Sequence, residues 1–209
     1  MNKQQVIEQA RWVRDNCIVS DTETTGLGEN DTIVELAAVC PKTREVMVDT
    51  LVHPKSAMSA GAEKTHGISL REATADGISP GSAFAILAAS HMAYSSPQKP
   101  ALYLAAFNRN FDARLIIQTA FRSNYQHPVE LDKVFYITRK AEGTTCIMEL
   151  ANRYLHEHLE WDAEQSKFKR LSLEKCLQIT GIQREGIAHR ALSDALAAAD
   201  LLNFIAEGR

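Results

Sequence analysis

The sequence predicts an α/β fold in which a mixed sheet of five strands is flanked by helices. Three short apolar runs rich in Ile and Val follow one another near the start, separated only by tight turns, and so read as hairpin-linked strands. Beyond residue 80 helical and strand patterns alternate, which calls for crossover connections and a sheet of mixed direction. The chain has 209 residues, 45% of them hydrophobic and 23% charged. That is an ordinary globular composition, long enough for one domain spanning 1–209 with a sizeable core.

The elements follow in order. Val6, Ala10 and Val13 recur at helical spacing ahead of the first strand, residues 17–23. Residues 32–40 form the second strand, and 45–53 the third, with Val46, Val48 and Leu51 as its apolar positions. Pro80 opens an alanine-rich helix to residue 94, at the position where a first-turn proline is tolerated. After a loop over 95–100 come a fourth strand at 101–106, a helix at 110–122 and a fifth strand at 129–136. A helix over 146–159 carries Ile147, Leu150, Ala151, Tyr154 and Leu155 on one stripe. Residues 171–180 form another helix, 181–188 a glycine-punctuated loop, and 190–206 the last helix.

Several function classes fall away. The net charge of −3 argues against a protein that grips nucleic acid through a broad basic surface, though not against one that meets phosphate through metal ions. Cys17, Cys40, Cys146 and Cys176 show no zinc-ribbon or redox spacing, and a reducing, cytoplasmic compartment is the simpler reading. The first residues hold no continuous apolar stretch, and no later run is long enough to span a membrane.

The chemistry lies in the acids. Asp21 and Glu23 share one face at the end of the first strand, in DTETTG, with Thr22 pointing away. They can share a cation or simply be a solvated pair. Asp112, in FNRNFDARLII, borders the core-facing stripe of Leu115, Ile116, Thr119 and Ala120. It could equally favour the helix N-terminus or pair with Arg109. Asp194 has Ala191, Ala198, Leu201 and Ile205 on its side of the last helix, so it points inward, where an unpaired charge is costly. Asp200, beside Ser193, Asn203 and Glu207, reads as solvated surface.

His189 precedes Asp194 by five residues, about 140° away in a continuous helix. To face the same site it must sit at or before the helix start, which Gly186 permits. There it can take a proton from water near neutral pH, or it can be a loop histidine. If all four acids converge, each ionised pair about 4 Å apart repels by roughly 4 kcal/mol at an effective dielectric of 20. Two divalent ions would leave a nearly neutral cage that a phosphodiester can approach. Oxygen ligands favour Mg2+ or Mn2+ over zinc.

DTETTG, FNRNFD and HRALSDALAAADLL, in that order, resemble the three motifs of the DEDDh branch of the DnaQ-like 3′–5′ exonucleases. The motifs lie at 21–27, 107–116 and 189–202. The resemblance implies a ribonuclease H-like fold and stepwise hydrolysis from a 3′ end to nucleoside 5′-monophosphates. It implies that Asp21, Glu23 and Asp194 hold one metal ion, that Asp21 touches the second, and that Asp112 acts on it directly or through water. His189 would be the general base. Thr22, Thr24, Thr25, Gly26 and Leu27 would meet the terminal nucleotide, with His66, Phe107, Asn108 and Phe111 near the substrate. Glu35 is similar to a residue of the family's second strand, either behind the site or in a buried salt bridge. Where the family often has histidine before the second-motif asparagine, this chain has Phe107, which either stacks on a base or fills the core.

Lys167, Phe168, Lys169 and Arg170 form a small basic and aromatic cluster, suited to a single strand or merely an exposed helix approach. His156 and His158 face apart and read as surface. The expected substrate is single-stranded or frayed DNA 3′ ends. RNA ends are the alternative, because 2′-hydroxyl recognition depends on a few contacts outside the acids. A non-catalytic binding module is the remaining class. A homodimer or association with a polymerase are the protein partners the resemblance allows.

Overall fold

The computed structural model describes residues 1–94, 103–123 and 143–209. Helix α1 (Lys3–Asn16) is closed by a capping box in which the Asn2 side chain accepts from the Gln5 N–H and the Gln5 side chain accepts from Asn2. It buries Val6, Ala10 and Val13 and leads into β1 (Cys17–Thr24), β2 (Ile33–Val39) and β3 (Val46–Leu51). These three pair antiparallel, while β4 (Tyr103–Ala105) runs parallel to β1, giving the order β3-β2-β1-β4. Every residue of β2 is buried, because helices cover both faces of the sheet there.

Helices α4 (Pro80–Tyr94) and α5 (Arg109–Arg122) pack on one face, where Ile18, Leu36 and Leu104 meet Phe84, Leu115 and Ile116. The other face carries α1, α6 (Ile147–Tyr154), α7 (Leu173–Thr180) and α8 (Ala191–Glu207), gathered around Val19, Ala37 and Val39. The result is an α/β layer structure, a mixed sheet between two layers of helices, as the sequence predicts.

The described sheet has four strands. The strand expected at 129–136 lies outside the described residues. Two short helices stand where the sequence suggested none, α2 (Ala60–His66) and α3 (Leu70–Asp76), each capped by a serine, Ser59 and Ser69. The helix expected over 146–159 stops at Tyr154. A 3-10 turn (His156–His158) and a two-stranded hairpin, β5 (Trp161–Asp162) with β6 (Lys167–Phe168), follow it.

Candidate active site

Strand periodicity sends Cys17, Val19, Asp21 and Glu23 to the α8 side of β1 and Ile18 and Thr22 to the α5 side. Asp194 sits in the first turn of α8. Carboxylate oxygens of Asp21, Glu23 and Asp194 lie within 4.8 Å of one another. Asp112 comes from α5, on the opposite side of the strand. It is buried, and the Thr22 hydroxyl donates to its Oδ1 at 2.9 Å. The structure thus brings three of the four acids together and sets the fourth behind Thr22.

The electrostatics follow from this crowding. Burial, then the charge of Asp112, then those of Glu23 and Asp194 hold the Asp21 carboxyl well above the usual carboxylate range. Burial and the charge of Asp194 push Glu23 up to about 8. Asp112 rises to about 7 through burial, against the opposing effect of the Thr22 hydrogen bond. Asp194 is raised by burial while Arg184 and His189 pull it down. An all-oxygen donor set of this charge density fits hard divalent cations such as Mg2+ or Mn2+.

His189 is exposed and precedes α8 by two residues, with a left-handed backbone (φ 59°). For a residue with a side chain that conformation costs about 1–3 kcal/mol, so the surroundings must impose it. The next residue does so: Arg190 donates through Nε to Glu35 at 3.0 Å, and the Ala191 N–H donates to the same carboxylate at 2.7 Å. Glu35, only 3% exposed, faces Glu23 across the β1–β2 ladder. Of the two readings of Glu35, the structure shows the salt bridge, with the carboxylate buried and the Arg190 guanidinium partly exposed.

Beside the acids lies a cleft of about 400 Å³ whose lining includes Glu23, Gly26, Leu27, Thr65, His66 and Phe111. Gly26 and Leu27 bring the 25–31 loop into its lining. Asp31 accepts from the Thr25 hydroxyl at 2.8 Å and the Gly28 N–H at 2.7 Å, and a side chain at Gly26 would collide with it. Arg114 and Gln118 of α5 hold the carbonyls of Leu27 and Gly28, leaving the Leu27 side chain 78% exposed at the rim. His66 accepts the Ile68 N–H on Nδ1 and donates from Nε2 to the Thr24 carbonyl, which fixes a neutral ring.

The family model described as an exonuclease, RNase T, matches residues 18–202. The chain belongs to this exonuclease family. An uncharacterized exonuclease, CP81, of Escherichia phage 186 is 29% identical over 201 residues, 95% of this chain and 92% of that protein. Among solved structures, exonuclease I of E. coli in complex with a dA16 oligonucleotide superposes with a TM-score of 0.63 at 18% identity over 92% of this chain. A moderately thermophilic exonuclease I from Methylocaldum szegediense gives 0.62 at 20% identity over 92%. This exonuclease chain spans 42% and 41% of those two proteins' lengths, respectively.

Some expected residues of the exonuclease are placed elsewhere. Phe107 packs against the core around α6 and α8, and its carbonyl accepts the Met148 N–H. It fills the core, and neither it nor Asn108, exposed at the start of α5, lines the cleft. Asp200, expected to be solvated, is paired with Arg44 of the β2–β3 turn. The Lys167–Phe168 pair belongs to a hairpin, where Phe168 stacks edge-on against Trp161. Sequence reading missed Arg184, which pairs with Asp194, and Arg190, since no local pattern marks either partner. Cys176 is pushed up to about 12 by burial, which leaves its thiol inert. No helix among the described residues is long and apolar enough to cross a membrane.

Proposed function

We propose that this exonuclease removes nucleoside 5′-monophosphates one at a time from the 3′ ends of single-stranded or frayed DNA. The convergence of Asp21, Glu23 and Asp194 beside a cleft of nucleotide size carries this reading. The first two acids and Asp194 would hold one divalent cation, Mg2+ or Mn2+, and Asp21 with Asp112 a second. When bound, such ions neutralise the phosphodiester and raise the acidity of the attacking water.

The chain's own groups supply the rest. His189, exposed beside Asp194, takes the proton of the attacking water on an imidazole nitrogen. Leu27 and Phe111, both in the lining of the cleft, give the terminal nucleoside apolar surface, and the exposed Leu27 wedges against the neighbouring base. His66 holds the Thr24 carbonyl and so keeps the strand end in place. The net charge of −3 agrees with recognition of an end instead of a long stretch of backbone.

Incubating the purified protein with 5′-labelled single-stranded DNA, duplex DNA and RNA tests the proposal. With Mg2+ or Mn2+ the expected product is a ladder shortened by single nucleotides from the 3′ end of the DNA. EDTA and Asp21→Asn should both abolish it. Internal cuts or shortening from the 5′ end would refute the polarity, and faster loss of RNA would move the substrate to RNA.

A further inference from the structure

Arg184 lies in the loop between α7 and α8, and its guanidinium is shared between two carboxylates. Nη1 pairs with Asp194 Oδ1, and Nη2 reaches Glu174 Oε2 at 3.4 Å. The arginine side chain is 13% exposed and Asp194 14%, whereas Glu174 is largely in solvent at 59%. Asp194 is one of the three acids whose oxygens lie within ligand distance of one another. A cation built into the protein therefore already holds one of the groups that the proposed metal needs.

The charge balance decides what this contact does. Asp21, Glu23, Asp112 and Asp194 carry −4 when ionised, which two divalent ions cancel. With Arg184 still in place the loaded site would stand at +1, with the guanidinium against an ion of like sign. An arginine does not lose its proton in a protein, so it can relieve that repulsion only by moving. Glu174 offers the nearby place to go: the same guanidinium already touches it, and its exposure makes the move cheap in solvation. The loop is articulated for such a motion, with glycines in left-handed conformations at Gly181 (φ 72°) and Gly186 (φ 82°) on either side of Arg184.

We infer that Arg184 is the resident counter-ion of the metal-free site, seated on Asp194 until a divalent cation displaces it toward Glu174, and that it thereby sets the metal affinity. The inference rests on the reading of the acid cluster as a cation site. It adds a competition: arginine and metal ion exclude each other at Asp194. Arg184 touches no reacting atom in this scheme and acts through Asp194 alone.

Mn2+ binding, followed by calorimetry and by water-proton relaxation without substrate, tests it directly. Arg184→Gln removes the competitor and should bind Mn2+ about 2- to 5-fold tighter than the wild type, the range expected for loss of one partly exposed ion pair. Arg184→Lys keeps the charge and should stay near the wild-type value. Glu174→Gln removes the second seat and should weaken binding by about 2- to 5-fold. Unchanged or weaker binding by Arg184→Gln, in a variant whose circular dichroism and melting are those of a folded protein, would overturn the inference. If that variant does not fold, Glu174→Gln decides, and binding as tight as the wild type's overturns it. Failure of the wild type to bind Mn2+ at all would overturn the cation site as well, and so separates the two claims.

Discussion

The buried Glu35 carboxylate and the half-buried Arg190 form an ion pair that ties the middle of the sheet to the residue beside His189. The carboxylate sits opposite Glu23 in the β1–β2 ladder and also accepts the first N–H of α8. The acid cluster and the loop that carries the histidine are thus fixed to the same two strands.

Glu35→Gln keeps the shape of that side chain and removes its charge. It should lower stability by about 1–3 kcal/mol, the range for losing hydrogen bonds to a charged group. Turnover should fall with it, because Arg190 and Ala191, the residues that follow His189, lose the carboxylate that fixes them. Urea melts and kcat measured on the same preparation check this, and an unchanged midpoint would contradict the role given to the pair.

Asp21→Asn should separate function from stability. The carboxyl is held far above its ordinary range by burial and neighbouring charge, so a neutral isostere removes a strained group from the metal-free protein. Melting temperature in EDTA should rise, activity should drop by at least about 10²-fold, and the stabilisation by added Mg2+ should shrink. A lower melting temperature in EDTA would show that the acids do not repel as described.

Acidity offers a third check. Glu23 stands at about 8 and Asp112 at about 7, both raised mainly by burial. A carboxyl raised in the folded state favours folding while it holds its proton. That contribution is complete below the ordinary value of about 4 and is lost as pH climbs through the raised values. In EDTA the melting temperature should therefore decline from about pH 5 to about pH 8 and level off above, and Mg2+ should counter the decline. A level or rising profile in EDTA contradicts the picture.

His189→Ala should cut turnover by about 10²–10⁴-fold while metal binding stays largely intact. The ring is exposed and stands outside the carboxylate trio. Lost Mn2+ affinity with normal turnover per loaded molecule would instead make it a ligand.

The parts of the fold that a reader of the sequence could see were those with a period. Asp21 and Glu23 fall on one side of β1 because alternate residues must, and Asp194 points inward because its neighbours along α8 are alanine, leucine and isoleucine. Helices α2 and α3 are seven residues each, too short for a period to emerge, although Ser59 and Ser69 at their starts and Gly67 and Gly77 at their ends were available as punctuation. The helix after residue 146 ends early because its last stripe residue, Leu155, leaves the helical conformation and the chain turns into the β5–β6 hairpin. The pairs Glu35–Arg190 and Arg184–Asp194 had no sequence signature. In the first the partners are 155 residues apart; in the second an arginine in a loop looks the same whether it faces water or an acid.

Thr22 joins the two sides of β1 through its bond to Asp112, so the acids reach the pocket from the left and right of a single extended backbone. At Asp21, Thr22 and Glu23 that backbone is held by the ladder to β2, its pairing with β4 having ended at Val19, so the spacing of the acids is set by one strand and its neighbour. Among the described residues, the segment that carries Arg184 and His189 lies outside these ladders, and a search for a moving part of this enzyme can begin there.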